Sequence, residues 1–254
     1  MRLSDEPCSG QRWRRQAIGL FVSAAAPWSG RPEAGGKNGR AELVTAARAN
    51  GVRDERVLAA ISATPRAAFA PPGYAWASYS DQPVPIPHGM VATQPSLVAA
   101  MVAGLGLTGS EHVLEIGSGY GYQTALLAQL AADVVSIEIY PDIADDARRN
   151  LLRRGISNVQ VIAGDGTEGY LEGAPYDAIL VSAAHPEVPP PLIEQLREGG
   201  RLVQPIGPGG NEEVILYERI PAGLRQLRVV ASASFVRLRG KYGFAYPLGE
   251  PRAR

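Results

Sequence analysis

Short apolar runs alternate with stretches of helical periodicity through the central part of the chain. The apolar runs cover residues 112–116, 134–138, 159–163, 176–182 and 201–206. Helical periodicity lies between them, over residues 122–131, 141–154 and 189–197. Parallel strands require long crossover connections, which are usually helices. The alternation therefore predicts an α/β fold, with a doubly wound, mostly parallel sheet and helices on both of its faces.

The segments on either side of this core carry different patterns. Apolar residues spaced over positions 43–61 predict two short helices joined by a glycine turn. Residues 65–95 hold repeated prolines with aromatic residues between them, which predicts an irregular segment ordered by aromatic burial rather than by backbone ladders. A helix is predicted from Pro95 onwards. Residues 214–219 and 227–238 are β-rich and predict a closing antiparallel pair.

The two ends of the chain are predicted to lie outside the folded domain. Residues 1–40 are rich in Gly, Pro, Arg and Ser and lack a sustained hydrophobic period, which predicts a disordered extension. Alternatives are a misassigned start codon or a weak signal peptide, because arginines precede a short apolar stretch there. One domain is predicted over residues 41–240, divided into an N-terminal part (41–95) and a core (96–240), followed by a C-terminal tail over 241–254.

Composition narrows the class of protein. The 254 residues are 45% hydrophobic and 20% charged, as in ordinary globular proteins. The 25 basic residues equal the 25 acidic ones, so no overall positive field favours nucleic acid or a membrane surface, and no apolar run is long enough to span a membrane. Cys8 is alone and the three histidines are scattered, which predicts no intrachain disulfide and no metal site.

The most informative stretch is a glycine-rich turn between a predicted strand and a predicted helix. Gly117, Gly119 and Gly121 allow a tight turn and the close approach of a ligand. The helix that follows offers unpaired N–H groups at its N-terminus. Glu138 ends the next predicted strand, where a carboxylate can accept hydrogen bonds from ribose hydroxyls. The combination predicts a nucleotide-containing cofactor.

The residues around the turn distinguish between two kinds of nucleotide-containing cofactor that such a site could bind. A nicotinamide dinucleotide site would carry a third glycine where this chain has Tyr122. Glu115 instead completes the pattern E-x-G-x-G-x-G, which resembles motif I of class I S-adenosylmethionine-dependent methyltransferases. The resemblance implies a Rossmann-like fold and S-adenosyl-L-methionine as the cofactor. The cofactor-binding residues that it implies are Glu115, Gly117, Ser118, Gly119, Gly121, Tyr122, Glu138, Asp165 and Gly166.

A longer series of motifs runs from residue 42 to residue 238. Pro65-Arg66 is followed by Phe69, Thr93-Gln94-Pro95 opens a predicted helix, and residues 119–125 read G-Y-G-Y-Q-T-A. Residues 164–166, 195–200 and 235–236 continue the series. In this order the motifs resemble the P-R-x-x-F, I-S-Q-P, G-S-G-Y-Q-T-A and later signatures of the protein-L-isoaspartate O-methyltransferase family. Each motif alone is weakly specific, whereas the ordered set is strongly so.

The acceptor side departs from the family pattern more than the cofactor side does. Thr93 stands where the family has the serine treated as its active-site residue, so the resemblance makes Thr93 the catalytic candidate, donating its hydroxyl to the acceptor carboxylate. Spacing alone favours a helix-capping role for Thr93, and the two roles are compatible. Val91 replaces a threonine, and Arg237 replaces a proline. The acceptor-side candidates are His88, Ser182, Ala183 and Arg237.

The family resemblance implies a repair activity. It implies methyl transfer to the free carboxylate of L-isoaspartyl and D-aspartyl residues in damaged proteins, followed by spontaneous collapse of the methyl ester to a succinimide. A carboxylate is already ionised near neutral pH, which agrees with the lack of an obvious His–acid pair. The expected partners are isoaspartyl-containing proteins and peptides, without nucleic acid or membrane. A cytoplasmic monomer is expected.

Three alternatives stay open from the sequence. The first is a carboxyl methyltransferase for a particular peptide aspartate or a small acid, which the departures at residues 90–93 keep open. The second is a nicotinamide-dependent oxidoreductase, against which Tyr122 argues. The third is a cofactor-binding protein without catalytic activity.

Overall fold

The computed structural model of the chain describes residues 36–71 and 73–245. Most of the predicted extension and the last part of the predicted tail lie outside the described residues. The first helix begins at Gly36, before the predicted domain boundary at residue 41. A side chain at Gly39 would meet the ring of Tyr79, since a Cβ there would lie 2.5 Å from Tyr79 Cγ. The glycine-rich composition that suggested disorder therefore allows this close packing at the start of the helix.

The elements follow the predicted alternation. The helices are α1 Gly36–Ala49, α2 Glu55–Ala63, α3 Pro95–Leu105, α4 Tyr122–Leu130, α5 Pro141–Arg153 and α6 Pro190–Gln195. The strands are β1 Val84–Ile86, β2 Met90–Ala92, β3 His112–Ile116, β4 Asp133–Glu138, β5 Val159–Ala163, β6 Tyr176–Val181, β7 Leu196–Ile206, β8 Glu212–Ile220 and β9 Gly223–Ala233. The two predicted N-terminal helices and the helix from Pro95 are confirmed.

The main sheet has seven strands in the order β5-β4-β3-β6-β7-β8-β9. Strands β3 to β7 pair in parallel, and β8 and β9 close the sheet antiparallel, as predicted. Two boundaries differ from the prediction. Strand β7 begins at Leu196, inside the predicted last helix, and β9 covers Gly223–Ala233 rather than 227–238. The β8–β9 ladder sets the second limit, because Glu212 pairs with Ala233 and Ile220 with Gly223.

The central strands are apolar on both faces because helices cover both. On β3, Val113 and Leu114 are completely buried and belong to different apolar clusters, one on each side of the sheet. Successive side chains of a strand point to opposite faces, so this burial requires helical layers on both. The doubly wound arrangement brings the carboxyl ends of β3, β4 and β6 to the same edge.

The segment between α2 and α3 is ordered differently from the prediction. It contains a two-stranded antiparallel hairpin, β1–β2, so the expectation of no backbone ladder is wrong. Aromatic burial contributes only in part, because Phe69 is buried whereas Trp76 is 80% exposed. The main organiser is the buried guanidinium of Arg66. It donates hydrogen bonds to the carbonyls of Ser78, Ser80, Gln82 and Thr93 at 3.0–3.4 Å.

Residues 241–245 belong to the folded domain rather than to a tail. The amide of Lys241 donates to Asp165 Oδ2 at 2.7 Å, and the amide of Tyr242 donates to Thr167 Oγ1 at 3.0 Å. The amide of Phe244 donates to the carbonyl of Leu238 at 2.8 Å. Within the described ranges, no helix has the length and apolar character that crossing a membrane requires.

Candidate active site

A cleft opens at the carboxyl edge of the parallel strands. Its empty space, including the open mouth, is about 1110 Å³. The glycine turn after β3 and the end of β4 form one wall, and the β1–β2 hairpin with Thr93 forms the wall opposite. Ile86 from the hairpin packs in one apolar cluster with Tyr120, Tyr140 and Ile143, which holds the two walls together. Clefts of this size at this edge are the usual ligand sites of doubly wound sheets.

The glycine turn brings backbone rather than side chains to the cleft. Gly117 and Gly119 have φ of 95° and 52°, in the left-handed region that favours glycine. A Cβ at Gly117 would lie 3.4 Å from the Cβ of Ser182, and a Cβ at Gly119 would have only Ile86 Cδ1 near it, at 3.8 Å. The turn therefore leaves the space in front of it open to a ligand.

A buried carboxylate, Glu115, supports the turn from behind. Glu115 Oε2 accepts from Thr124 Oγ1 and Ser136 Oγ, both at 2.5 Å, and Oε1 accepts from Gln123 Nε2 at 2.9 Å. We call these four residues the Glu115 network. Burial raises the pKa of Glu115, and the three hydrogen bonds act in the opposite direction. The network joins β3 to the first turn of α4 and to β4.

Ser118 extends the Glu115 network into the glycine turn. Its hydroxyl lies 2.7 Å from that of Ser136. Because Ser136 donates its single proton to Glu115, Ser118 must be the donor in this pair. The conformation of the turn is therefore linked by side-chain hydrogen bonds to a carboxylate that is fully buried in the sheet.

Glu138 presents its carboxylate at the cleft itself. Oε2 accepts from the amide of Gly119 at 2.9 Å, and Oε1 accepts from the amide of Tyr140 at 3.2 Å. Burial raises the pKa of Glu138, and these backbone hydrogen bonds oppose that shift. A carboxylate has about four acceptor positions, so Glu138 retains capacity for hydroxyl donors from a ligand.

Gln123 joins the wall formed by the glycine turn to the end of β6. Its Nε2 donates to Glu115 Oε1 at 2.9 Å and to Ser182 Oγ at 2.8 Å. Ser182 accepts this bond, so its own proton remains available for another acceptor. Ser182 and Ala183 line the cleft beside Gly117. Gln123 was not among the predicted site residues, because only the fold brings it next to Ser182.

Thr93 lies in the hairpin wall, half-buried. Its carbonyl accepts from Arg66 Nη2 at 3.2 Å. The N-cap position of α3 is Gln94, and Asp81 from the preceding loop caps the helix by accepting from the amide of Ser96 at 2.8 Å. The capping role that spacing favoured for Thr93 is therefore wrong, and its side chain belongs to the wall of the cleft.

The structure brings most of the predicted site residues to one cleft, but not all. Those that line it are Thr93, Gly117, Ser118, Gly119, Tyr122, Glu138, Gly166, Ser182, Ala183 and Arg237. Gly121 lies behind the turn, where a Cβ would come within 3.4–3.6 Å of Leu151, Phe69 and Ala147. Its lack of a side chain permits the turn to pack on α5. Glu115 also lies behind the turn, as described above.

Asp165 and His88 are the other two candidates placed outside the lining. The carboxylate of Asp165 accepts from the amides of Thr167 and Lys241, so it organises the loop after β5 and leaves Gly166 at the cleft. His88 Nε2 lies 2.9 Å from Asp142 Oδ2, and its ring stacks on Tyr140 with centroids 4.1 Å apart. This contact lowers the pKa of Asp142. His88 therefore links the hairpin to α5 and is not among the residues that line the cleft.

The cleft suits an adenosine-containing cation such as S-adenosylmethionine. Open glycine backbone lies at one end, and a buried carboxylate with spare acceptor capacity, Glu138, lies beyond it. Ile116, Ile139 and Ile143 supply apolar wall on which a flat base can pack. Ile139 and Ile143 were not singled out from the sequence, although Ile139 directly follows Glu138 and Ile143 lies in the first turn of the helix after it.

The fold and this cleft define a class I S-adenosylmethionine-dependent methyltransferase. The model of the protein-L-isoaspartate(D-aspartate) O-methyltransferase family matches residues 38–243. The chain belongs to this family. Membership in a methyltransferase family argues against the nicotinamide-dependent oxidoreductase, because that alternative required a different cofactor.

Individual relatives agree with the family assignment. The protein-L-isoaspartate O-methyltransferase of Methanoculleus marisnigri is 49% identical over 198 residues, which are 78% of this chain and 89% of that protein. The enzyme of the same name from Myxococcus xanthus is 43% identical, covering 80% and 96% of the two chains.

Solved structures show the same architecture. A protein-L-isoaspartate O-methyltransferase superposes with a TM-score of 0.72 at 31% identity, covering 80% of this chain and 67% of that one. A Plasmodium falciparum protein described as a putative enzyme of this kind, in complex with S-adenosyl-L-homocysteine, gives 0.65 at 23% identity, covering 80% and 98%. The second likeness is one of fold alone.

Glu138→Gln tests the cofactor wall. Glutamine has a single oxygen and cannot accept from the amides of Gly119 and Tyr140 while also holding ligand hydroxyls. We expect the affinity for S-adenosylhomocysteine, measured by calorimetry, to fall about 10- to 100-fold. Glu168→Gln is the matched control, because Glu168 pairs with Lys241 outside the cleft. Equal affinities for the wild type and Glu138→Gln would contradict this role for Glu138.

Proposed function

We propose that this chain transfers the methyl group of S-adenosylmethionine to the free carboxylate of L-isoaspartyl and D-aspartyl residues in damaged proteins and peptides. One observation carries the proposal: the cleft wall that suits the cofactor faces a second wall holding Thr93, with an open mouth between them. The family membership of the chain supports the same activity. The resulting methyl ester would collapse to a succinimide without further catalysis and so begin repair.

The main task of the protein in this reaction is to position the acceptor carboxylate against the methyl group of the cofactor. When bound, S-adenosylmethionine supplies an electrophilic methyl group on a sulfonium. The acceptor carboxylate titrates near pH 4 and is already a nucleophile at neutral pH, so no general base is required. The chain must hold that carboxylate in line and limit the access of water. Apolar residues of the hairpin wall, Ile86 and Met90 among them, contribute to the second task.

Thr93 is the proposed positioning group for the acceptor. Its hydroxyl would donate to the carboxylate oxygen that does not attack. Support comes from the Arg66 contact, which holds the Thr93 backbone at 3.2 Å, and from the location of the residue in the cleft wall. Ser182, whose hydroxyl proton is not used by Gln123, is a second donor on the opposite side. The small side chain of Ala183 leaves room beside it for a peptide backbone.

Two further features of the proposal come from the sequence alone. A cytoplasmic location and a monomeric state remain expectations. The partners that the proposal requires are proteins and peptides carrying isoaspartyl residues.

A pair of peptides tests the proposed function directly. The purified chain would be incubated with methyl-labelled S-adenosylmethionine and two peptides that differ only in isoaspartate or aspartate at one position. We expect base-labile label on the isoaspartyl peptide alone, since a carboxyl ester hydrolyses in base. Equal labelling of both peptides would favour a general carboxyl methyltransferase. Cofactor binding without label on either peptide would contradict the repair activity.

Substitutions of Thr93 test the acceptor role. Thr93→Val keeps the shape and removes the hydroxyl, whereas Thr93→Ser keeps the hydroxyl and removes a methyl group. We expect Thr93→Val to lower kcat on the isoaspartyl peptide about tenfold or more, the cost of one lost hydrogen bond, and Thr93→Ser to stay near wild type. Affinity for S-adenosylhomocysteine should not change in either. An unchanged kcat in Thr93→Val would show that the hydroxyl does not act on the acceptor.

A further inference from the structure

Arg237 occupies a defined position at the mouth of the cleft. After β9 the chain crosses to the end of β6, where the amide of Ala184 donates to the carbonyl of Val236 and the amide of Leu238 donates to the carbonyl of Ala184, both at 2.8 Å. These two bonds fix the backbone of Arg237 on each side. The residue lies in the cleft lining together with Ser182 and Ala183.

The side chain of Arg237 is held by packing against Phe244 and the turn after β7 rather than by an ion pair. Its guanidinium carbon lies 5.0 Å from the centroid of the Phe244 ring. Its stem lies along the turn after β7, where a Cβ at Gly209 would come 3.0 Å from Nε and 3.1 Å from Cγ. A stacked guanidinium keeps the N–H groups of its edge available while its face is covered. The side chain is thus preorganised and still exposed.

Within the described part of the chain, no carboxylate forms an ion pair with Arg237, unlike many of the exposed arginines. Among the paired ones are Arg48 with Glu55, Arg148 with Asp145, Arg149 with Asp146, Arg197 with Asp177 and Arg225 with Glu218. Of the described residues lining the cleft, Glu138 carries the negative charge, and its carboxylate is already engaged with backbone amides. Among the acids that the structure describes, none therefore pairs with the hydrogen-bonding edge of the Arg237 guanidinium.

We propose that Arg237 is a specificity-determining residue that binds a second carboxylate of the acceptor peptide, separate from the one that is methylated. That carboxylate belongs to an aspartate or glutamate side chain, or to the C-terminus, close in sequence to the isoaspartyl residue. A guanidinium recognises a carboxylate through two parallel N–H···O bonds. This inference rests on the proposed function, and it adds a preference for acidic peptides that the reaction itself does not require.

Charge variants of one isoaspartyl peptide test the inference. The series has Glu or Gln at each flanking position with an amidated C-terminus, and the Gln peptide also with a free C-terminal carboxylate. The amidated and free forms separate a side-chain carboxylate from a terminal one. We expect the wild type to favour at least one acidic form by about two- to fivefold in kcat/KM, the range for a partly exposed ion pair. Raising the salt concentration should reduce this preference.

The variant Arg237→Gln should lose the preference for the acidic peptide, so that its ratio of kcat/KM on the acidic peptide to kcat/KM on the neutral one falls to about one. Arg228→Gln is the matched control, because it removes the same charge from β9 outside the cleft lining. We expect Arg228→Gln to retain the preference. A preference that survives in Arg237→Gln, or a wild type that treats acidic and neutral peptides alike, would overturn the inference.

A binding measurement separates this inference from the proposed function. The anisotropy of fluorescent isoaspartyl peptides would be followed with S-adenosylhomocysteine present, for wild type and Arg237→Gln. A ratio of acidic-peptide to neutral-peptide affinity that is about two- to fivefold higher in the wild type than in Arg237→Gln would support the role of Arg237 even if no peptide became labelled. Methylation of isoaspartyl peptides without any such difference in binding or kcat/KM would refute the role of Arg237 alone.

Discussion

The shape of the cleft depends on one buried carboxylate, whose oxygens must all be given hydrogen-bond donors by the protein. Glu115 lies in the middle of the sheet with no exposed surface, and an isolated charge there would be very costly. The Glu115 network meets that requirement by drawing hydroxyl and amide donors from α4 and β4 onto one point. Since α4 follows the glycine turn and β4 lies beside it, the hydrogen bonds to Glu115 also constrain the shape of the turn. The cofactor wall is in this sense a consequence of core electrostatics.

A second buried charge organises the opposite wall. Arg66 donates to four carbonyls of the segment between α2 and α3, including that of Thr93. Burial lowers the pKa of Arg66, but a guanidinium remains charged under all ordinary conditions. The irregular segment thus gains hydrogen bonds that its prolines cannot supply through a regular ladder. The His88 contact with Asp142 and Tyr140 then ties the hairpin to α5. The glycine-turn wall and the hairpin wall are each built around a buried ionisable side chain, Glu115 or Arg66, and are joined by an apolar cluster.

The sequence allowed accurate prediction where the determining forces are local. Strands β3 and β5 begin and end where the apolar runs do, and glycine spacing located the turn. Prediction failed where the partners are distant along the chain. Hydrophobic periodicity does not reveal that Arg66 donates a hydrogen bond to the carbonyl of Thr93, or that Gln123 donates one to Ser182. His88 could be named only as an acceptor-side candidate, because its contact with Asp142 is 54 residues distant along the chain and appears only in the fold.

The role of the Glu115 network is tested by comparing two carboxylates on neighbouring central strands, Glu115 behind the glycine turn and Asp177 near the start of β6. Glu115→Gln replaces one of the two acceptor oxygens of the Glu115 network with an NH2 donor, and Asp177→Asn makes the same change at a carboxylate that accepts from the amide of His112 at 2.6 Å, away from the cleft. The affinity for S-adenosylhomocysteine and the free energy of unfolding would be measured for both. We predict that both variants lose stability but that only Glu115→Gln loses affinity, by about tenfold or more. Equal cofactor affinity in the two variants would contradict the claim that the Glu115 network builds the cofactor site.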